Sequence, residues 1–305
     1  MFHYKEPGLF LVFLALLFLV GCQNMYQFSS TEEGRLRINI TDAPVDSLDI
    51  SGVYVTVSGI EVNHNGQWVT WKVLDHPMTY NLSQLREGKS ALLGNSTLPA
   101  GEYGQIRFVL DTGGSDQITS ENSGCYVELT SGEKKPLFIP SGVNTGYKAT
   151  GTFTVPINGI VDITADFDLR KSLTKTGTKI AGNERYILKP TIRLIVNNQA
   201  GDIKGSVQGI NSYSDLVIYA YRVNTFDLSQ VSANNLLFSD SINSAKVNDD
   251  MTFVIPFLEE GTYDLIVAGY NGTEFGVVLG YVTDVPVGAK STTMKYLNLQ
   301  NLTGF

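Results

Sequence analysis

Residues Arg35–Thr41 read RLRINIT and alternate polar with apolar side chains without a break. Successive side chains of a β-strand point to opposite faces of the sheet, whereas an α-helix repeats every 3.6 residues. A period of two over seven residues therefore predicts a strand with one buried face. The same period recurs along most of the chain, so this stretch sets the expected fold class, which is all-β.

The next segment predicts a bulged hairpin. The apolar residues Val53, Val55 and Val57 fall at odd positions, whereas Ile60 and Val62 fall at even positions. A β-bulge at Ser58-Gly59 would return the apolar side chains to the core, because a bulge inserts one extra residue into a strand. Asn65-Gly66 follows, and Asn-Gly is a strong signal for a two-residue hairpin turn because both residues tolerate positive φ.

The first half of the chain carries about eight predicted strands, joined by short turn-rich segments. One helical segment is expected, at Leu82–Leu93. The strands after the hairpin are predicted at Tyr103–Leu110, Cys125–Leu129, Tyr147–Val155, Ile160–Leu169 and Tyr186–Val196. Links of hairpin length predict an antiparallel sandwich or a partly closed barrel.

A polar break at Asn197–Gly201 predicts a boundary between two domains, 34–198 and 199–305. The second domain is expected to be a smaller antiparallel sandwich of about seven strands, with a helical segment near Leu228–Leu237. Both halves contain a Leu-x-x-Gly-x-Tyr phrase, at Leu98–Tyr103 and Leu258–Tyr263. In each phrase a glycine turn precedes a strand with a tyrosine near its start.

The N-terminus indicates a lipoprotein. Leu9–Val20 is an apolar run of 12 residues, about 18 Å as a helix, too short for a bilayer core of about 30 Å. It therefore reads as a signal peptide over residues 1–21, followed by a tether at 22–33. Leu19–Cys22 resembles a bacterial lipobox, which implies acylation of Cys22 with diacylglycerol and palmitate-type chains. Gln23 after the cysteine favours the outer membrane in a host with two membranes.

The amino-acid composition argues against several classes of function. The 305 residues carry 30 acidic and 22 basic side chains, a net charge of −8, so no nucleic-acid partner is expected. Three His and two Cys give little material for a transition-metal site, a disulfide framework or nucleophilic catalysis, and no cofactor is expected. With Cys22 acylated, Cys125 is expected to be a buried thiol.

An acidic group is the main candidate site. Along Ile160–Leu169 the apolar residues are expected on one face and the acidic residues on the other. The candidate ligands for a structural Ca²⁺ are Asp42, Asp46, Asp166 and Asp168, since Ca²⁺ takes 6–8 oxygen ligands. Two alternatives stay open: a solvated polar face, or ion pairs with Arg37, Lys171 and Arg193.

Aromatic side chains offer a second candidate. Tyr219 and Tyr221 share one strand face, where exposed rings could stack on a sugar or a protein, or form the edge of a core. Trp68 and Trp71 fall on opposite faces of their strand, so one is expected to be buried and the other exposed or covered.

Several phrases of the first half resemble a bacterial and archaeal lipoprotein family, domain of unknown function 4382. They are Thr41–Asp46, Val53–Val62, Ala91–Leu93, Leu98–Tyr103, Gln105–Arg107, Pro140–Gly142, Asp166–Asp168, Lys171-Ser172, Leu188–Pro190 and Ile192–Leu194. The resemblance covers residues of about 35–196 and implies no activity. The second half is similar to carboxypeptidase-regulatory-like or transthyretin-like sandwiches, on Gly205–Val207, Val217–Tyr219 and Phe253–Leu265.

These observations predict a lipid-anchored protein of the bacterial cell envelope that works as a non-catalytic binding or structural module. Its expected partners are the membrane, through Cys22, and an envelope protein or a glycan. Two alternatives are a carboxylate-dependent hydrolase, for example one acting on glycans, and a Ca²⁺-stabilised adhesin-like module.

Overall fold

The structure, a computed structural model, describes residues 32–42, 49–111, 124–140, 146–177, 184–189, 191–209, 212–231 and 237–304. Within these residues the chain is nearly all β, which confirms the predicted fold class. The predicted signal peptide, Cys22 and all but the last two residues of the predicted tether lie outside the described residues, and Glu33, predicted to end the tether, belongs to the first strand. Among the described helices, none combines the length and the hydropathy that a membrane crossing requires.

Within the described residues, the first half contains twelve strands and one short α-helix, α1 at Leu169–Ser172. The strands are β1 Glu33–Thr41, β2 Ile50–His64, β3 Gln67–Asn81, β4 Ala91–Pro99, β5 Gly101–Leu110, β6 Tyr126–Leu129, β7 Lys134–Phe138, β8 Tyr147–Val155, β9 Ile160–Asp166, β10 Leu173–Thr176, β11 Arg185–Leu188 and β12 Ile192–Val196. They form one continuous sheet, in the order β10-β11-β7-β6-β2-β5-β8-β12-β9-β1-β4, with β3 paired to β2. The inward side chains of this sheet share a single apolar core.

In the part of the second half that the structure describes, seven strands form two sheets. The strands are β13 Ala200–Gln208, β14 Asp215–Arg222, β15 Asn243–Lys246, β16 Thr252–Glu259, β17 Gly261–Asn271, β18 Glu274–Val287 and β19 Thr292–Asn298. One sheet has the order β16-β13-β19 and the other β15-β14-β17-β18. Side chains from both sheets form one core, which is the arrangement of a β-sandwich.

The local signals of the first hairpin are confirmed. The register of β2 shifts between Val57 and Gly59 against both neighbouring strands, at the predicted bulge. Asn65 and Gly66 have φ of 51° and 82°, as a hairpin turn of this kind requires. Trp71 is buried, and Trp68 lies under the Arg107 guanidinium, 4.0 Å from its ring centroid.

Several predicted elements were wrong in type or length. The segment Leu82–Leu93 is not a helix but a 3-10 turn at Leu82–Gln84 followed by the start of β4. β4 pairs with β1, a partner about sixty residues away in sequence, so tertiary pairing overrides its local pattern. The segment Tyr186–Val196 is two strands, β11 and β12. Of the helical segment predicted near Leu228–Leu237, Leu228–Gln230 form a 3-10 turn, and residues 232–236 lie outside the described residues.

The strand predicted at Ile160–Leu169 ends at Asp166. Asp168 has a left-handed conformation with φ of 38° and caps α1, so Leu169 belongs to that helix. Four of the described pairings, including β1 with β9 and β13 with β19, are parallel. The sheets are therefore mixed, where hairpin-length links had predicted antiparallel pairing throughout.

Candidate functional site

The parallel pairing of β1 with β9 brings the predicted acidic residues together. Thr41 is opposite Asp166 in the register, so both strands end at the same edge of the sheet. Asp42 follows β1 directly, and Asp168 lies two residues after the end of β9. All three carboxyls are buried, so the predicted solvated polar face is wrong for these residues. A buried carboxyl needs partners, and each has a different set.

Asp166 is paired with Arg193 of β12. The two side chains meet at 2.8 Å, and the carboxyl of Asp166 is only 2% exposed. Its other oxygen accepts the backbone N–H of Asp168 at 3.2 Å. Arg193 also donates to the carbonyl oxygen of Phe257, at 2.8 Å, in the second half. This ion pair therefore joins the two halves of the chain.

Asp168 forms an ion pair with Lys171 and caps α1, the short helix that contains Lys171. One carboxyl oxygen lies 3.2 Å from the Lys171 ammonium, and the other accepts the Lys171 backbone N–H. The ammonium also donates to the carbonyl oxygen of Ser241 in the second half. Burial lowers the pKa of Lys171, and the charge of Asp168 opposes this shift.

Arg170 makes three hydrogen bonds to the second half. Its guanidinium donates to the carbonyl oxygens of Leu237 and Phe238 and to the Ser241 hydroxyl, at 3.1, 3.2 and 2.7 Å. It also lies over the Tyr219 ring, 5.1 Å from the centroid. Arg170 is not among the residues predicted from sequence, because two of its partners are backbone carbonyls, which no side-chain pattern identifies.

Asp42 is the exception in this group, because one of its oxygens has no partner in the described structure. The other oxygen accepts the backbone N–H of Leu169 at 2.9 Å. Burial raises the pKa of Asp42 well above its ordinary value, and the neighbouring charges of Asp166 and Asp168 raise it further. The hydrogen bond from Leu169 opposes this shift but does not cancel it.

The ion-pair alternative is thus confirmed for three carboxylates, since Arg37 also meets Asp162, at 3.4 Å on the outer face of the sheet. The Ca²⁺ site of Asp42, Asp46, Asp166 and Asp168 stays a prediction, because Asp46 lies outside the described residues. Within those residues, no group of three or more Asp, Glu, His or Cys side chains could hold a metal ion.

The other candidate residues are mostly structural. Tyr219 and Tyr221 are 1% and 3% exposed, and they belong to an aromatic cluster on the outer face of the β14–β17 pair. The core-edge alternative therefore holds, and these rings do not form an exposed platform. Cys125 is buried, as predicted, and burial raises its pKa to about 12, so the thiol is inert at neutral pH.

Comparison with known families identifies the first half. The family described as Domain of unknown function (DUF4382) matches residues 33–190. The chain belongs to this family, which confirms the resemblance seen in its sequence phrases. A comparison with curated proteins gave no match.

Comparison with solved structures gives only distant neighbours. The minor pilin GBS52 of Streptococcus agalactiae is 12% identical, with 86% of this chain and 94% of the pilin covered and a TM-score of 0.20. The major pilin subunit BcpA of Bacillus cereus is 8% identical, with 88% and 70% covered and a TM-score of 0.21. The Bacillus anthracis TIE protein is 12% identical, with 87% of this chain but only 34% of that protein covered and a TM-score of 0.18. TM-scores this low carry no argument about fold or function.

Proposed function

We propose that this protein is a lipid-anchored module of the bacterial cell envelope, with a structural or binding role and no catalytic one. The anchor is proposed from the sequence, in which the apolar run Leu9–Val20 leads directly to Gly21-Cys22. Two or more acyl chains hold a protein at a bilayer far better than one, since each buried CH₂ contributes about 0.8 kcal/mol.

The observation that carries the structural role is the junction between the two halves. Arg170, Lys171 and Arg193 of the first half all donate to backbone carbonyls of the second. Their partners Asp166 and Asp168 are therefore engaged in fixing one half against the other. Such a junction suits a spacer whose two halves present one rigid surface to an envelope protein or a glycan.

The anchor is tested by replacing Cys22. We expect Cys22→Ala to lose labelling by a clickable palmitate analogue and to leave the membrane fraction of its host. Cys125→Ala is the matched control, because Cys125 is buried in the core and should not change labelling. A Cys22→Ala protein that still labels and stays with the membrane would refute the proposed anchor.

A further inference from the structure

A cleft of about 560 Å³ opens between the two halves, beside the acidic group. Clefts of this size are typical of small-ligand sites. The residues that line it come from both halves: Asp42 and Arg86 from the first, and Ser244, Lys246, Asp249 and Asp250 among those from the second. The cleft is therefore complete only when the halves are joined.

Two of these side chains have unused hydrogen-bonding capacity. One carboxyl oxygen of Asp42 and the hydroxyl oxygen of Ser244 are buried and have no partner in the described structure. The two residues are 3% and 2% exposed. An unsatisfied buried polar atom costs about 1–3 kcal/mol. Two residues that carry such an atom line the same cleft, one from each half, which points to a ligand that completes them.

Charge selects the kind of ligand. Four carboxyl residues line the cleft, Asp42, Glu87, Asp249 and Asp250, against the two cations Arg86 and Lys246. Lys246 is already paired with Asp215, at 2.5 Å. Arg86 is exposed, and so are Glu87, Asp249 and Asp250, so water screens these four charges alike. The three exposed carboxylates outnumber the single cation left unpaired in the described structure, and the Ser244 hydroxyl and an ionised Asp42 can each accept a hydrogen bond.

We propose that this cleft binds a primary ammonium group on an alkyl chain, with Asp42 and Ser244 as its hydrogen-bond acceptors. An ammonium carries three N–H donors and no acceptor, which matches the two unpartnered oxygens. A slim alkyl chain can reach side chains that are almost fully buried, whereas a planar guanidinium is wider. The inference rests on the proposed binding role and names the chemistry of its partner, which is either a lysine side chain of a protein or a free polyamine.

Binding is tested by titration calorimetry of the full chain in detergent with two probes, the blocked tripeptide acetyl-Gly-Lys-Gly-amide and spermidine. The Nε-acetyl-lysine form of the peptide is the control ligand, since it keeps the alkyl chain but loses the charge. We expect at least one amine probe to bind and the acetylated peptide not to bind. Tighter binding of the peptide indicates a protein partner, and tighter binding of spermidine indicates a polyamine.

The Asp42 carboxyl supplies a readout that nonspecific attraction to an acidic surface would not give. Because an ammonium stabilises the ionised carboxyl, binding should release a proton, and the measured heat should then change with the ionisation enthalpy of the buffer. We expect Asp42→Asn to weaken binding at least about tenfold, or about 1.4 kcal/mol, and to remove this buffer dependence. Asp162→Asn, which alters a carboxyl on the outer face, should leave both unchanged.

Ser244→Ala gives a second measurement if Asp42→Asn does not fold, with an expected loss of about threefold to tenfold. Equal binding of the acetylated peptide, no binding of either amine, or equal binding by Asp42→Asn and the unaltered chain would overturn the proposal. The anchoring test measures only Cys22 and membrane association. Failure of one experiment therefore leaves the result of the other standing.

Discussion

The two halves of this chain share part of their strand order but differ in the residues at one sheet edge. In the first half β1 lies between β4 and β9, and in the second half β13 lies between β16 and β19. In both, the first strand is parallel to a late strand of the same half. The central strands correspond as well, with β5 between β2 and β8 and β17 between β14 and β18.

The difference lies at the end of the first strand. In the first half this edge places Thr41 opposite Asp166, both buried, and Asp42 follows. In the second half the equivalent pair is Gln208 and Asn298, both exposed. The same backbone arrangement thus carries a buried charged edge in one half and an exposed amide edge in the other.

The first half also has an added strand beside this edge. β12 pairs with both β8 and β9 and makes the first half one continuous sheet, whereas the second half keeps two separate sheets. β12 also carries Arg193, which neutralises Asp166 and reaches Phe257. The same strand order therefore occurs with a charged edge that binds a neighbouring domain and with an exposed polar edge, and the first half differs by a strand that joins its sheet and supplies a cation.

The largest expected effect comes from removing that cation. Arg193→Leu leaves the carboxylate of Asp166, 2% exposed, without its partner, and breaking a buried pair in this way costs about 3 kcal/mol. Arg37→Leu is the matched control, because the Arg37–Asp162 pair is 42% and 35% exposed and is worth less than about 1 kcal/mol. Urea unfolding of the full chain measures both.

A further replacement checks the cause of that loss. Asp166→Asn added to Arg193→Leu removes the unpaired charge, so part of the stability should return. Equal losses for Arg193→Leu and Arg37→Leu would show that the charged edge of the first half is no more important to stability than an ordinary surface pair.

Sequence alone could predict what depends on neighbouring residues. The alternation in Arg35–Thr41, the bulge near Gly59 and the Asn65-Gly66 turn all lie within one or two strands, and the structure has each of them. The predicted helix Leu82–Leu93 wrongly included the first three residues of β4, whose identity as a strand depends on pairing with β1. A local sequence pattern predicts a strand poorly when that strand is stabilised by a partner distant in sequence.

The acidic site could be predicted only in part, for a similar reason. The carboxylates and three of their cations were identifiable as charged residues of opposite sign. Their burial was not, because it depends on the second half covering the ends of β1 and β9. Arg170 could not be found at all from sequence, since a guanidinium that binds the carbonyl oxygens of Leu237 and Phe238 has no charged counterpart in the sequence.

The second prediction concerns the pH dependence of the charged edge. Burial raises the pKa of Asp42, so the folded chain keeps a proton that the unfolded chain releases above about pH 4. Stability should therefore fall as pH rises from about 4 towards the raised pKa, by up to about 1.4 kcal/mol per pH unit. Asp42→Asn cannot ionise, and its oxygen can still accept the Leu169 N–H.

Measured against the unaltered chain, Asp42→Asn should become relatively more stable as pH rises and should show no such gain near pH 4. The position that follows the equivalent strand of the second half is Gly209, which does not titrate, so the effect belongs to the first half alone. Thermal unfolding between pH 4 and 8 gives the comparison, with Asp162→Asn as control. Parallel curves for Asp42→Asn and the unaltered chain would contradict the assignment of a buried proton to this edge.

The smallest expected effect tests the feature that the halves share. The hydroxyl of Tyr103 donates to the carbonyl oxygen of Pro99 at 2.8 Å, and that of Tyr263 to Glu259 at 2.6 Å. Each bond spans four residues across a glycine, Gly101 or Gly261, with positive φ. This is the bond of a tyrosine corner, which fixes the turn between two strands.

Since each corner contributes one hydrogen bond from a buried tyrosine, Tyr103→Phe and Tyr263→Phe should each lose about 1 kcal/mol. Tyr296→Phe is the control, because Tyr296 is 71% exposed and should change little. Similar losses of stability in the two variants would mean that the tyrosine corners stabilise both halves equally. The halves would then differ in the charged edge and not in their turns. A loss at one corner only would show that the shared phrase has the same geometry in both halves but stabilises only one of them.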